Sequence, residues 1–345
     1  MLFSTSLLLF VGAGEQPELS PRKLTLLNTD NNTIIQNLCF PSTILSILLN
    51  RKRLCIILEM QAHIYDLDSL QLLRIVDTGY NKEGVGALSI CIEKNSSSLS
   101  SPSSLLALPA TKKVGAIMIL DTLSNTVDTI TEIQAHKSDV ALLAWNDEGT
   151  LLASASTKGT VIRVFQMPRC TDREHQQQQY YAFRRGTTTA NITSIVFTPS
   201  DHKTKLLCVA SDHGTVHIYR LGDAASSSSF IEQQQQGGGR GGLMRQPTAG
   251  ALLNAMLPNA ISSAVEPSRD VATVRLPGKT ALPCMAAVAS PGRGDDDGGD
   301  LWLYVARADR VLFKYRIQGL GFVGSKKKDV KYVLVGQYYF SNAGP

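Results

Sequence analysis

Two arginines, Arg184 and Arg185, stand side by side in the stretch YYAFRRGTTTANITSIVF, residues 180–197. A guanidinium offers a planar, always-charged fork of donors that matches a phosphate. Further donors flank the pair on both sides. Upstream lie His136 in QAHKSDVALLAW and Ser156, Thr160 and Arg163 in SASTKGTVIRVF; downstream lie Ser211, Thr215 and His217 in ASDHGTVHIY. Hydroxyl, imidazole and guanidinium groups are the donor types that hold a phosphate. Neighbouring side chains of an extended segment leave opposite faces, so the two arginines are poorly placed to grip one small ligand together and well placed to complete two separate donor sets. The same residues also have a purely structural reading. Ser and Thr beside Gly are ordinary turn residues, a His beside a turn caps backbone groups, and arginines on a sheet edge deter edge pairing. Spacing alone does not choose between the two.

The elements that must position these residues announce themselves as a repeat. LLASASTKGTV (151–161) and LLCVASDHGTV (206–216) align without a gap, matching Leu151 with Leu206, Ser156 with Ser211, Gly159 with Gly214 and Thr160 with Thr215. Each reads as strand, tight turn, strand. Weaker copies are RLCIILEMQAHIYDLDS (53–69), SLLALPATKKVGAIMILDT (104–122), LWLYVARADRVLFKYRI (301–317) and LLFVGAGEQPELSPRKLTLLNT (8–29). Centres fall near Leu26, Ile64, Met118, Arg163, Ile218 and Lys314, and only the last interval carries a long insertion. Short strands at such a period define an all-β chain, a β-propeller of WD40-like blades with six blade-like units, whose blades bury their faces only by stacking. A β-sandwich ranks second because it would lack the Gly-Thr-strand repeat.

With 345 residues, 43% of them hydrophobic, the chain can bury a large core as a single propeller domain over 1–345. A net charge of +5 spread along the sequence does not form the basic arm of a nucleic-acid binder. Cys39, Cys55, Cys91, Cys170, Cys208 and Cys284 form no CxxC pair and read as reduced core residues, with no metal expected. The apolar start MLFSTSLLLFVGAGE lacks the basic flank of a secretory signal and is too short to span a bilayer, so a buried strand ending at Gly12 and Gly14 and a cytosolic chain are expected. KNSSSLSSPSS (94–104), EHQQQQYY (174–181) and SSSSFIEQQQQGGGRGG (226–242) read as solvated loops, the acidic RGDDDGGD (293–300) as a solvated hairpin and the KKK run at 326–328 as a solvated charge run. No nucleophile and base set, phosphate-binding glycine loop or carboxylate pair with a definable role is present, and no enzyme or cofactor is expected.

YAFRRGT, with ASASTKGTVIRVF before it and VASDHGTVHIY after it, closely resembles the signature of the PROPPIN family, the seven-bladed phosphoinositide-binding β-propellers of autophagy. The likeness is strong over about residues 1–222 and patchier over 250–317. It implies two headgroup sites: His136, Ser156, Thr160, Arg163 and Arg184 in the first, and Arg185, Thr187, Ser211, Thr215 and His217 in the second. The implied ligands are phosphatidylinositol 3-phosphate and phosphatidylinositol 3,5-bisphosphate on a membrane surface. Residues 222–270, inserted in the penultimate blade, resemble the family's membrane-inserting loop. Its apolar side chains Leu252, Leu253, Met256, Leu257, Ile261 and Val265 recur at helical steps around Pro258. Pro21 and Arg22 fall where the family contacts an autophagy lipid-transfer protein. Family members carry a blade ahead of MLFSTSLLLFVG, so the expectation is a propeller lacking its first blade. The function implied is that of a peripheral effector on autophagosome-precursor and endosomal or vacuolar membranes; a protein-binding propeller scaffold without lipid affinity is the alternative.

Overall fold

The computed structural model describes the chain apart from residues 1–5, 17–18, 92–103, 125–128, 168–178, 223–267, 279–281, 291–299, 319–321, 324–325, 328–329 and 341–345. Its regular elements are antiparallel strands in successive blade-like sheets. Sheet 1 holds β1 (Leu7–Val11), β2 (Lys23–Asn28) and β3 (Thr33–Cys39). Sheet 2 holds β4 (Ser46–Leu49), β5 (Arg53–Ile57), β6 (Gln61–Asp66) and β7 (Leu72–Asp77). Sheet 3 holds β8 (Ala87–Leu88), β9 (Leu105–Pro109), β10 (Ala116–Asp121) and β11 (Thr129–Gln134). Sheet 4 holds β12 (Val140–Trp145), β13 (Leu151–Ser156), β14 (Val161–Gln166) and β15 (Gln179–Arg184).

Sheet 5 begins with β16 (Ile192–Phe197), β17 (Leu206–Ser211) and β18 (Thr215–Arg220). The chain then returns through β19 (Ser268–Arg269), which pairs in parallel with β15 on the outer edge of sheet 4, before β20 (Ala272–Arg275) completes sheet 5. Sheet 6 holds β21 (Cys284–Ala289), β22 (Leu301–Arg307), β23 (Val311–Gln318) and β26 (Lys331–Tyr339). The short pair β24 (Phe322–Val323) and β25 (Lys326–Lys327) precedes that last strand.

Each repeat centre read from the sequence falls on a central strand of a different sheet: Leu26 on β2, Ile64 on β6, Met118 on β10, Arg163 on β14, Ile218 on β18 and Lys314 on β23. Contacts run from the first strand of one sheet to that of the next, β4 to β8, β8 to β12, β12 to β16 and β16 to β21, as in a propeller. Apolar clusters lie between successive sheets. Blades covered on both faces have continuous apolar runs, and Leu206–Ser211 is buried at every position. Sheet 6 alternates instead, with Leu301, Leu303 and Val305 buried and Trp302 and Tyr304 only half-buried.

Gly159 and Gly214, equivalent in the repeat, both sit at positive φ, 58° and 66°. A Cβ on Gly159 would stand 1.9 Å from the Ala190 carbonyl oxygen, so the turn needs glycine for conformation and for space.

Several expectations need correcting. Cys39 is exposed at the end of the outermost strand of sheet 1, whereas Cys55, Cys91, Cys208 and Cys284 are buried; Cys170 lies outside the described residues. The β1 strand is half-buried and not buried, because it forms the edge of a three-stranded sheet. Ser104, at the end of a stretch read as solvated loop, is fully buried: its hydroxyl accepts from Asn50 Nδ2 at 2.8 Å and from Thr122 Oγ1 at 2.7 Å. The glutamine-rich run likewise ends in β15, where Tyr181 stacks on Phe183.

Candidate functional site

Antiparallel pairing carries the start of one strand and the end of the next to the same rim. In sheet 4 this gathers the approach to β12 with His136, the end of β13 with Ser156, the turn before β14 with Thr160, and the end of β15 with Arg184. Sheet 5 repeats the arrangement with Ser211 at the end of β17 and Thr215 at the start of β18. Arg185 follows β15 directly on the link to β16.

Register fixes which face of sheet 4 each arginine leaves. Ser154 pairs with Arg163, Val161 with Arg184 and Ile162 with Phe183. Phe165, on the Arg163 face, packs in the cluster between sheets 3 and 4; Ile162, Val164 and Phe183 pack in the cluster between sheets 4 and 5. Because paired residues share a face and successive residues alternate, Arg184 belongs with Arg163 and Ser154 on the sheet 3 side. Arg185 follows onto the sheet 5 side, where its charge acts on His217 and Tyr219. Arg184 is exposed and Arg185 is buried, at 8% relative exposure.

On the sheet 3 side, Arg163 Nη1 donates to His136 Nδ1 at 3.0 Å, and the imidazole meets Ser154 Oγ through Nε2 at 2.9 Å. With Nδ1 accepting, Nε2 carries the proton and donates to Ser154, whose hydroxyl reaches the Arg163 carbonyl at 3.5 Å. The ring of bonds closes on itself. Burial, reinforced by the neighbouring Arg163 charge, pushes His136 down to about 3, so it is neutral near pH 7. Burial also lowers Arg163. Ser156 is buried and Thr160 half-buried, while the Arg184 side chain makes no hydrogen bond or ion pair among the described residues.

On the sheet 5 side, Arg185 Nε donates to the Gly159 carbonyl at 2.6 Å and Nη2 donates to the Thr188 carbonyl. Its backbone N–H bonds the Thr160 carbonyl at 2.9 Å, so Thr160, expected with Arg184, has its main chain tied to Arg185. Ser211 and Thr215 hydroxyls meet at 3.1 Å. His217 Nδ1 lies 3.1 Å from Asp270 Oδ2, and Thr273 donates to the same carboxylate. Burial lowers the His217 imidazole, Asp270 opposes the shift, and Arg185 and Arg275 add to it. Thr187 is exposed on the linking turn.

Four residues escaped the sequence reading. Ser154 lies two positions from Ser156 on the same strand face, a signal that period-two alternation carries. Arg269, Asp270 and Thr273 join the rim only because the chain returns there after residues 223–267. Leu252, Leu253, Met256, Leu257, Ile261 and Val265 lie outside the described residues. Pro21 and Arg22 lie apart from both clefts, on the approach to β2; Arg22 lines a cavity of about 380 Å³ with Ser42, Thr43, Leu45, Glu59 and Lys82.

Fold and rim together define a β-propeller with hydroxyl, imidazole and guanidinium side chains on both faces of one sheet. The sequence matches the PROPPIN family over residues 1–289, and the chain belongs to that family. It is 39% identical over 280 residues to autophagy-related protein 18 of Dictyostelium discoideum, covering 80% of this chain and 69% of that protein. Identity to autophagy-related protein 18 of Yarrowia lipolytica is 39% over 233 residues, 64% of this chain and 55% of the relative. The chain thus spans between about half and about two thirds of these relatives. Among solved structures, Kluyveromyces lactis Hsv2 with complete loop 6CD superposes with a TM-score of 0.64 at 17% identity, covering 98% of this chain and 85% of that one. Atg21, in a complex with the coiled-coil of Atg16, gives 0.65 at 22% identity, covering 99% and 84%.

Proposed function

We propose that this chain is a non-catalytic, peripheral membrane protein that reads phosphatidylinositol 3-phosphate and phosphatidylinositol 3,5-bisphosphate and acts as an effector in autophagosome formation. The observation that carries the reading is that Arg184 and Arg185 leave opposite faces of sheet 4: Arg184 shares its face with Arg163 and Ser154, and the charge of Arg185 acts on His217. Two weak sites on one rigid rim make the second contact intramolecular, which raises affinity for a lipid-bearing surface by about 10² to 10⁴.

Of residues 222–270, the stretch 223–267 supplies the third contact in this reading, with Leu252, Leu253, Met256, Leu257, Ile261 and Val265 entering the bilayer, whereas residues 268–270 are tied into sheet 4 and to His217. The chain is then cytoplasmic and recruited to autophagosome-precursor and endosomal or vacuolar membranes. Pro21 and Arg22, beside the cavity between sheets 1 and 2, are the contact for an autophagy lipid-transfer protein. The resemblance to Atg21, solved with an Atg16 coiled coil, supports protein partners of the autophagy machinery as a class.

One observation favours a scaffold without lipid affinity: Arg185 is already bonded to two backbone carbonyls. Flotation on phosphatidylcholine vesicles with and without phosphatidylinositol 3-phosphate separates the two. The lipid reading expects Arg184→Thr with Arg185→Thr to abolish phosphoinositide-dependent flotation of a chain that is still folded by circular dichroism. Unchanged flotation would reject it.

A further inference from the structure

The return from residues 223–267 is stitched onto the outer edge of the blade that carries the first cleft. Arg269 on β19 stands in parallel register with Arg184, and Phe183 with Ser268. Adjacent strands lie about 4.8 Å apart and paired residues share a face, so two guanidinium side chains leave the same side of sheet 4 as immediate neighbours. Both are exposed, and neither side chain has a hydrogen bond or ion pair among the described residues. Arg163 projects from that face as well, bonded only to neutral His136. Like charges held opposite one another in a sheet repel, and no carboxylate relieves these three among the described residues.

The next residue turns the other way. Asp270 bonds His217 in the second cleft, where Arg185 is already tied to carbonyls. The two faces of sheet 4 are therefore unequal in charge: Arg163, Arg184 and Arg269 leave the first, whereas on the second Arg185 and Arg275 act on His217 against the Asp270 carboxylate.

We infer that Arg269 is a third cationic member of the Arg184 site, making this cleft the one that takes the more highly charged phosphomonoester. The inference rests on the phosphate-binding reading of that site and adds a residue to it. The chemistry recognised is a phosphate dianion with more than one oxygen free to accept, carried on a lipid headgroup.

The test is isothermal titration of the full chain with soluble inositol 1,3-bisphosphate and, separately, with inorganic phosphate, alongside flotation on vesicles containing phosphatidylinositol 3,5-bisphosphate. Arg269→Ala is expected to weaken headgroup binding about tenfold, as removing one charge-assisted donor does, and Arg269→Lys to recover part of the loss. The loss persists in an Arg185→Ala background and shrinks in an Arg184→Ala background, since only Arg184 shares its cleft. Lys203→Ala, an exposed charge removed elsewhere, leaves affinity unchanged. Wild-type affinity in Arg269→Ala, or an equal loss in both backgrounds, overturns the inference. A wild-type chain that ignores every vesicle yet binds inorganic phosphate in an Arg269-dependent way would overturn the lipid reading and leave the cluster standing.

Discussion

Adjacent in sequence, Arg184 and Arg185 are expected to behave differently when removed. Arg185 is buried and holds two carbonyls, that of Gly159 at 2.6 Å and that of Thr188. Hydrogen bonds to charged groups contribute about 1.5 to 3 kcal/mol each, so Arg185→Ala loses about 3 kcal/mol or more and leaves two carbonyls to find other partners. For a chain of this size about 2 °C of Tm accompanies each kcal/mol, which gives a fall of about 6 °C. Arg184 is exposed with no partner among the described residues, so Arg184→Ala stays within about 0.5 kcal/mol of wild type. Under the proposed lipid-binding function both variants are expected to weaken phosphoinositide binding, and only Arg185→Ala to weaken the fold. Thermal unfolding by circular dichroism, paired with vesicle flotation, reads the two effects side by side. Equal Tm losses in the two variants, or an unchanged Tm in Arg185→Ala, would refute the assignment of one arginine to solvent and the other to the seam between blades.

Three further outcomes follow from the same geometry. Ser154→Ala removes the acceptor of His136 Nε2 and is expected to cost about 1 to 2 kcal/mol in urea unfolding, with weaker headgroup binding as His136 and Arg163 lose their alignment. The His136 imidazole is depressed to about 3, so between pH 6.5 and 3 the unfolded chain binds the extra proton. Its contribution is complete above pH 6.5 and is lost as pH falls, by about 1.4 kcal/mol per pH unit at most. His136→Gln flattens that part of the stability profile, while His63 and His217, lowered in the same direction, retain theirs. Replacing residues 223–267 with a short Gly-Ser linker leaves soluble headgroup affinity intact and cuts vesicle flotation at least about tenfold, because apolar burial in the bilayer is lost.

Much of the rim was legible because local rules sufficed. Equivalent glycines at 159 and 214 mark turns that require positive φ, and period-two alternation alone sends Arg184 and Arg185 apart. Apolar runs such as LLCVAS read as blades covered on both faces. What stayed hidden depends on tertiary return. Arg269 and Asp270 sit more than eighty residues from Arg184 and Arg185, and nothing local says that the chain comes back to that edge as a parallel strand. Ser104 looked like loop because its neighbours are serines, yet Asn50 and Thr122, remote in sequence, make its burial favourable. Cys39 looked like core because Leu38 and Phe40 flank it, but the last residue of an outermost strand faces solvent.

The binding stoichiometry of soluble inositol 1,3-bisphosphate decides whether one headgroup site lies on each side of a single blade. Two sites per wild-type chain are expected, with Arg184→Ala and Arg185→Ala each leaving one. A single site in the wild-type chain, or a stoichiometry that neither substitution alters, would contradict it.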